Sequence, residues 1–313
     1  MANVLISGGT GLIGSHLSKF LAENGFDVVI LSRNKNSTSE NPKISYSYWN
    51  VKDKVIDVEV VKKADHIVHL AGAGVMDKKW TEDYKKKIED SRTKSAELIL
   101  SCLKEGEHNV KSFVSASAIG WYGADSKLPG KNEAFIESDM PSKDFLGETC
   151  VLWEASVEPV TAMGIRLIKL RTGIVLSNKG GAFKEYKTPL KFGLASILGS
   201  GKQIVSWIHI DDLCRMYFEG IQNNYLHGSY NAVAPEPVSE KKLILTLGQK
   251  MRNKFFIPIY VPAFCLRLIF GKRSVELLKS TTVSNKKIKA TGFTFLYPSI
   301  EAAIEELVAN KEE

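Results

Sequence analysis

The sequence is poor in cysteine, with only Cys102, Cys150, Cys214 and Cys265 among its 313 residues. These residues are far apart and form no CxxC pair, so neither a zinc site nor a disulfide framework is predicted. The remaining candidates, the histidines, show no metal-ligand spacing, so we expect no metal site. The chain enters an apolar strand within three residues, without a basic leader, so we predict no signal peptide. We therefore expect a reducing compartment, the cytoplasm.

Long hydrophobic runs are also missing. The most apolar stretch is FFIPIYVPAFCLRLIF, residues 255–270, which contains Pro258, Pro262 and Arg267. It is shorter than the roughly 18–20 residues that span a bilayer, so we predict no membrane span. We predict instead a buried or ligand-lining segment, and a contact with a membrane surface is the less favoured alternative.

Lysine and arginine outnumber aspartate and glutamate, 42 to 35, so the formal net charge is +7. The lysines are spread along the chain, and no arginine-rich or aromatic-interleaved basic tract occurs, so we predict no nucleic-acid partner. A lysine-rich surface is the simplest interpretation, although a basic balance also suits an anionic small ligand. The hydrophobic content of 44% supplies a sizeable core for one large domain or two lobes.

Apolar strands and helical patterns alternate through the first half of the chain. This alternation predicts an α/β fold, a Rossmann-type doubly wound parallel sheet. From about residue 178 the pattern loosens into glycine- and proline-rich breaks, which predicts a smaller C-terminal substrate lobe. We assign 1–175 to the Rossmann domain, with late elements near 204–232 returning to it. The lobe then comprises 176–203 and 233–300.

The clearest motif is GGTGLIG, which follows an apolar strand and opens a helix. Gly8, Gly11 and Gly14 provide a tight turn, close approach of the backbone to a pyrophosphate, and close packing of helix on strand. The free N–H groups of the helix N-terminus then face the phosphates. The motif lies in a βαβ unit of the right length, so it predicts a dinucleotide site.

A cation ends the second strand of this unit. An NAD site usually has a carboxylate there that binds the ribose hydroxyls, whereas a 2′-phosphate prefers arginine. The segment LSRN provides Arg33 and no acid. A guanidinium binds phosphate through paired, charge-assisted hydrogen bonds, so we predict NADP(H). The alternative is that Arg33 is only a solvated surface side chain.

Several motifs in order carry a family resemblance. GGTGLIG, HLAGAG and SASAIGWYG are followed by RTGIVLSNKGGAF, GSGKQIVSWIHIDDL and TGFTFLYPSIEAAI. Together they resemble the extended and atypical branch of the short-chain dehydrogenase/reductase superfamily, which contains nucleoside-diphosphate-sugar epimerases. The second half resembles its sugar-nucleotide-epimerase-like members, some of which are also labelled cell-division-inhibitor-like. The resemblance covers nearly the whole chain.

The resemblance also implies roles for further cofactor-binding residues. Ser32 and Arg33 would hold the 2′-phosphate. Arg92, in EDSRTKS, would contact the cofactor from the helix that follows, and its alternative is a solvated helix-face charge. The phosphate loop and the strand end HLAG would contribute the remaining contacts, from Thr10, Leu12, Ile13, Leu70, Ala71 and Gly72.

The catalytic pattern of the superfamily is not found where the resemblance would place it. Its tyrosine and lysine are spaced Y-x-x-x-K, with a glutamate often four residues later. Aligning Glu154 with that glutamate puts Leu146 at the tyrosine position and Cys150 at the lysine position. Leucine has no proton to transfer, and cysteine is not a fixed cation. The segment 130–160 contains no tyrosine that a small shift could recruit.

Two hydroxyls remain as candidates for proton transfer. Ser117, with Ser115 behind it, falls at the usual serine of the strand SASAIGWYG, and its alternative is ordinary packing beside the cofactor. Tyr122 lies at the glycine turn, where packing or substrate contact is the alternative to acid catalysis. His209 and Asp211 suggest a catalytic pair, but the resemblance implies a motif that shapes the junction with the lobe.

These observations favour an NADP(H)-dependent oxidoreductase or epimerase-like enzyme that acts on an unknown, nucleotide-sugar-like small molecule. The alternative is a non-catalytic or weakly catalytic NADP(H)-binding redox sensor, which the missing tyrosine and lysine favour. Loss of a dedicated acid or base typically lowers rates by about 10²–10⁴. The sequence predicts no particular oligomeric state.

Overall fold

The structure is a computed structural model that describes residues 2–125 and 134–310. Its strands, in chain order, are β1 (Asn3–Ser7), β2 (Asp27–Ser32), β3 (Ile44–Asn50), β4 (Val55–Ile56), β5 (His66–His69), β6 (Ser112–Ala118), β7 (Arg166–Thr172), β8 (Ile174–Leu176), β9 (Leu194–Leu198), β10 (Ile204–Val205), β11 (Trp207–His209), β12 (Gly228–Ala232), β13 (Val238–Ser239) and β14 (Ile257–Val261).

Its helices are α1 (Leu12–Glu23), α2 (Val58–Lys63), α3 (Glu82–Lys104), α4 (Phe145–Val157), α5 (Gly181–Lys191), α6 (Ile210–Gln222), α7 (Glu240–Arg252), α8 (Ala263–Phe270), α9 (Ser274–Leu278), α10 (Lys286–Lys289) and α11 (Ile300–Ala309). Within the described residues, no helix is both long and apolar enough to span a bilayer.

The largest sheet has the order β12-β7-β6-β5-β1-β2-β3-β4. Its strands pair in parallel except at the short edge strand β4, which is antiparallel to β3. The chain leaves β1 toward β3 on one side and returns to β5 on the other. The predicted Rossmann-type doubly wound sheet is confirmed, and its switch point lies at the carboxyl ends of β1 and β5, where such sheets bind ligands.

Apolar side chains alternate along β1 and supply a core on each face of the sheet. Val4 and Ile6 pack with Leu17 and Leu21 of α1 on one face, and Leu5 packs with the α3 side on the other. Local signals set the helix ends. The side chain of Thr81 caps α3 by accepting a hydrogen bond from the Tyr84 N–H at 3.2 Å.

The segment after residue 203 contributes to both parts of the molecule. β12 pairs with β7 in the large sheet, and α6 buries Leu213 and Tyr217 in the same core as α1. A separate core lies between α5, α7, α11 and β9 in the smaller lobe. The exact boundaries that we assigned from the sequence stay a prediction.

The apolar segment 255–270 is not buried, and this part of the sequence prediction is wrong. It forms β14 and α8, and among its large apolar residues only Leu266 is fully buried, at 2% exposed. Phe255, Phe264 and Leu268 are 83%, 69% and 84% exposed. In the described part of the chain, β14 pairs with β9 alone, in a two-stranded sheet.

Candidate functional site

The loop between β1 and α1 is closed by glycines that tolerate no side chain. Gly8 has φ +73°, and a Cβ there would lie 2.7 Å from the backbone carbon of Leu70. A Cβ on Gly14 would lie 2.3 Å from the Gly8 carbonyl oxygen, which itself accepts a hydrogen bond from the Gly11 N–H at 3.0 Å. Only glycine lets the start of α1 pack this closely on the end of β1.

The N-terminus of α1 is open to an anion. Gly11 is its N-cap, no described side chain caps it, and its first turn has no acidic residue. Thr10 and Gly11 are exposed, and Leu12 and Ile13 are half-buried beside them. Free N–H groups and the positive end of the helix dipole favour a phosphate here. The loop therefore fits the pyrophosphate of a dinucleotide.

The carboxyl end of β2 provides a hydroxyl and a cation beside this loop. Ser32 is 5% exposed, and its Oγ accepts from the Asn34 N–H at 3.1 Å. Arg33 is exposed and forms no ion pair with any residue that the structure describes. Lys35 follows, with its Nζ 4.7 Å from the ring centroid of Tyr48. This end of the sheet is cationic and suits an additional phosphate.

The chain after β5 runs against the glycine loop. The Leu70 N–H donates to the Ser7 carbonyl oxygen at 3.0 Å, and Ala71 is 8% exposed. Gly72 lies over Arg92, whose Cζ would be 3.0 Å from a Cβ at that glycine. The structure thus brings the predicted residues of the loop between β1 and α1 and those of the chain after β5 to the same edge of the sheet.

Arg92 is a buried cation and not a solvated helix-face charge, so that alternative is wrong. It is 9% exposed, and its Nη1 donates to the carbonyl oxygens of Ala73 at 3.1 Å and Ile88 at 2.8 Å. Its Cζ lies 4.8 Å from the Trp153 ring centroid. Burial lowers the pKa of Arg92. The hydrogen bond of its guanidinium to the Ala73 carbonyl oxygen ties the loop after β5 to α3.

Ser117 and Tyr122, the two predicted proton-transfer residues, belong to one buried network. The Ser117 Oγ donates to Glu154 Oε1 at 2.7 Å. Arg171 donates to the same carboxylate through Nε at 2.8 Å and through Nη2 at 3.1 Å. Its Nη1 donates to the Tyr122 Oη at 3.1 Å, and that hydroxyl donates to Asn231 Oδ1 at 2.6 Å. A paired carboxylate and guanidinium thus connect the two hydroxyls.

Burial sets the electrostatics of this network. Ser117 and Tyr122 are 3% and 2% exposed, and burial raises the pKa of Tyr122 to about 12 against the opposing charge of Arg171. Burial also opposes ionisation of Glu154, but the hydrogen bonds and charge of Arg171 outweigh it and lower the pKa of that carboxyl. Near neutral pH the tyrosine is protonated and the glutamate ionised.

Helix α4 faces the end of β6 with a leucine and a cysteine. A Cβ on Gly120 would lie 3.3 Å from the Leu146 Cβ and 3.6 Å from the Cys150 Sγ. The Cys150 thiol donates to the Ala118 carbonyl oxygen at 3.6 Å. Burial raises the pKa of Cys150 to about 12, so it is a neutral thiol and not a reactive thiolate.

The pair suggested by WIHIDDL joins the lobe to the large domain. His209 caps α6 by accepting from the Asp211 N–H at 3.2 Å, and its Nε2 lies 2.8 Å from Glu306 Oε2 on α11. His16 of α1 lies 2.7 Å from Asp211 Oδ1. Because Nδ1 of His209 accepts, its Nε2 carries the proton and donates to Glu306. Both ring nitrogens are therefore committed to structural bonds.

Comparison with known proteins defines the family. A family model described as the NAD-dependent epimerase/dehydratase family matches residues 4–232. This chain belongs to that family. A domain of unknown function, DUF1731, matches residues 261–307. The predicted resemblance to the epimerase-like branch is confirmed.

Relatives of the epimerase family match nearly the whole length of the chain. An epimerase family protein of Staphylococcus saprophyticus is 34% identical over 311 residues, covering 98% of this chain and 100% of the relative. The crystal structure of human epimerase family protein SDR39U1 with NADPH has a TM-score of 0.84 at 26% identity, covering 98% and 99% of the two chains. A nucleoside-diphosphate sugar epimerase from Corynebacterium glutamicum has a TM-score of 0.75 at 28% identity, covering 98% of this chain and 58% of that one.

For this epimerase family member, some site residues escaped the sequence analysis. Gly9 packs on β2, where a Cβ would lie 2.6 Å from an Ile30 methyl carbon. Its position as the second glycine of GGTG could have predicted this close contact. No sequence pattern could predict the roles of Arg171 and Asn231, because these residues lie on β7 and β12 and become neighbours through the pairing of the two strands. The assigned roles of the predicted site residues remain proposals.

Proposed function

We propose that this protein is an NADP(H)-dependent oxidoreductase or epimerase-like enzyme acting on a small, nucleotide-sugar-like molecule. The choice of NADP(H) rests on the residues at the end of β2. Arg33 and Lys35 are exposed there, and the segment 32–35 contains no carboxylate. A carboxylate there would repel a 2′-phosphate, and a guanidinium binds it with paired hydrogen bonds. The human relative SDR39U1, whose crystal structure is with NADPH, supports this choice.

Each part of the dinucleotide has a fitting set of residues. Thr10, Gly11, Leu12 and Ile13 hold the pyrophosphate at the N-terminus of α1. Ser32 and Arg33 hold the 2′-phosphate, and Leu70, Ala71 and Gly72 flank the ribose and pyrophosphate path. Arg92 keeps this last segment in place through its hydrogen bond to Ala73, 3.1 Å long.

When bound, NADP(H) supplies the hydride donor or acceptor for a carbon of the substrate. The chain supplies the proton through Ser117, Tyr122 or a water molecule. A general acid must come within hydrogen-bond reach of the reacting oxygen, and both hydroxyls lie at or beyond the carboxyl end of β6. The nucleoside-diphosphate sugar epimerase of Corynebacterium glutamicum supports a nucleotide-sugar-like substrate.

A second candidate function is a redox sensor that holds NADP(H) without turnover. The burial of Ser117 and Tyr122, together with neutral Leu146 and Cys150 on α4, favours it. We place either function in the cytoplasm, because all four cysteines are free.

Single-turnover kinetics separates the two functions. The protein is loaded with NADPH, mixed with nucleotide sugars that carry a keto group, and followed by the loss of absorbance of the reduced nicotinamide. An enzyme oxidises the bound NADPH at a rate that Ser117→Ala or Tyr122→Phe lowers. Tight binding of NADPH without oxidation by any such substrate would support the sensor and contradict the enzyme.

A further inference from the structure

An exposed apolar surface lies on the smaller lobe, far along the chain from the glycine loop. We call it the 255–269 surface, and it combines β14 with α8. Its large apolar side chains are between 52% and 84% exposed: Phe255, Ile257, Tyr260, Phe264, Leu268 and Ile269. So many large, exposed apolar side chains on two adjoining elements indicate a binding surface rather than ordinary surface composition.

Two apolar residues of α8 form an outward stripe. Phe264 and Leu268 are four residues apart, so they lie on the same face of the helix, and Arg267 lies between them and is also exposed. Leu266, at 2% exposed, attaches the opposite face to the lobe. The helix thus presents an apolar face with a cation at its edge.

The strand continues the apolar surface toward β9. Ile257 is the register partner of Leu194, which is 38% exposed, and Phe192 at the start of this edge is 79% exposed. β14 spans about 16 Å at the usual rise of a strand. Ile257 lies on one face of the strand and, with Phe255 just before it, adds exposed apolar area to that of α8, whereas Tyr260 lies on the opposite face.

The surface is fixed to the protein and is not a loose flap. Beyond α8, Arg273 is 8% exposed and its Nη1 donates to the carbonyl oxygen of Met76, in the chain after β5. Before α8, the Gly199 N–H donates to the Val261 carbonyl oxygen at 2.8 Å. Both ends of α8 are therefore anchored while its apolar stripe faces outward.

The segment that forms this surface and its neighbours in the chain carry only positive charges. Glu82 of α3 lies near the edge of the surface, where the hydrogen bond from Lys85 and, more weakly, the charge of Lys272 lower the pKa of that carboxyl. Residues 241–275 contain no aspartate or glutamate. Lys242 and Lys250 are paired with glutamates of α11. The remaining exposed cations of residues 241–275 form no ion pair with described residues: Lys241, Arg252, Lys254, Arg267 and Lys272. An apolar face rimmed by unpaired cations matches the surface of an anionic bilayer.

We propose that the 255–269 surface is a peripheral contact site for a bilayer containing anionic lipids. Phe264 and Leu268 enter the boundary between headgroups and acyl chains, while Arg267 and Lys272 bind lipid phosphates. A second copy of this chain fits less well, because a twofold interface would place this cationic rim against itself. The apolar side chains have no role in the cofactor site described above.

Vesicle co-sedimentation tests the site. The full chain is mixed with vesicles of phosphatidylcholine alone or with equal parts of phosphatidylglycerol. We expect binding to the anionic vesicles that weakens in high salt, and little binding to the neutral ones. Equal binding to both vesicles, or binding to neither, would refute the proposal.

Two double variants and their matched controls assign the binding to this surface. Phe264→Ser with Leu268→Ser should lower partitioning at least about tenfold, because both apolar side chains lose their insertion. The control Tyr225→Ser removes an 89% exposed aromatic elsewhere and should leave binding unchanged. Both variants should unfold at the wild-type temperature, since the altered side chains are exposed.

Arg267→Gln with Lys272→Gln should lower binding to anionic vesicles about tenfold or more, since each cation near the surface contributes separately. Lys63→Gln with Lys104→Gln, two exposed cations on α2 and at the C-terminal end of α3, removes the same net charge and should have little effect. Equal losses in the two charge variants would show a nonspecific effect of net charge and overturn the assignment. A dimer that Phe264→Ser with Leu268→Ser dissociates, without lipid binding by the wild type, would also overturn it.

Discussion

Replacing Arg171 with Met removes the main partner of a buried carboxylate and tests whether the network at the end of β6 and β7 stabilises the fold. Lys169, whose Nζ lies 3.6 Å from Glu154 Oε2, remains as the second cation beside that carboxylate. Arg171 is 3% exposed and Glu154 is 5% exposed. The change removes two hydrogen bonds to Glu154, of 2.8 and 3.1 Å, and the bond to the Tyr122 Oη. Removing one partner of a buried ion pair costs about 3–5 kcal/mol, and we expect a loss of that size.

A double-mutant cycle isolates the pair from the packing of the two side chains. Glu154→Gln alone leaves Arg171 buried without its counterion and should also destabilise. The double variant removes both charges, so it should be destabilised by less than the sum of the single variants. Urea unfolding of the cofactor-free protein, followed by circular dichroism, measures all three. Additive effects, or an Arg171→Met cost below about 1 kcal/mol, would refute this account.

The same pair predicts an acid-sensitive stability. The pKa of Glu154 is lowered in the folded protein, relative to an ordinary value of 4.5. Its stabilisation is therefore present above pH 4.5 and is lost as the pH falls through the lower folded-state pKa. Other carboxylates also titrate in this range, so the informative comparison is with the Arg171→Met variant. Its unfolding free energy should fall less steeply in acid.

Further predictions concern the two ends of the site. Arg92→Ala should weaken both NADPH and NADH in calorimetric titration, because the loop after β5 loses its support, and unchanged affinities would remove Arg92 from the site. Gly14→Ala should abolish cofactor binding in the same assay, since a Cβ there would meet loop backbone at 2.3 Å. Cys150→Ser should reduce turnover little, whereas Ser117→Ala or Tyr122→Phe should reduce it more. Loss of turnover in Cys150→Ser alone would show that the thiol is catalytic and would contradict this prediction.

The sequence predicted best those parts of the site whose backbone geometry depends on residues that are close in the chain. Gly8 and Gly14 were recognisable because their spacing between a strand and a helix is itself the requirement for a close turn. The order of strands and helices likewise predicted the doubly wound sheet.

Long-range contacts were beyond this kind of inference. Tyr122 and Asn231 are 109 positions apart, and only the pairing of β6, β7 and β12 brings them to 2.6 Å. Arg92 was predicted to contact the cofactor, with a solvated helix-face charge as the alternative, and its contact with the Trp153 ring on α4 could not be predicted. The apolar run 255–270 suggested a buried segment, because hydropathy does not reveal whether another element covers it.

The affinity ratio of NADPH to NADH tests the central claim most directly. Calorimetric titration of the wild type should show NADPH binding at least tenfold tighter, about 1.4 kcal/mol. Arg33→Ala should weaken mainly NADPH and bring the two affinities together, because the 2′-phosphate loses its guanidinium. Lys19→Ala, an exposed cation on α1, is the control and should leave the ratio unchanged. Equal affinities in the wild type, or unchanged NADPH binding by Arg33→Ala, would contradict the account.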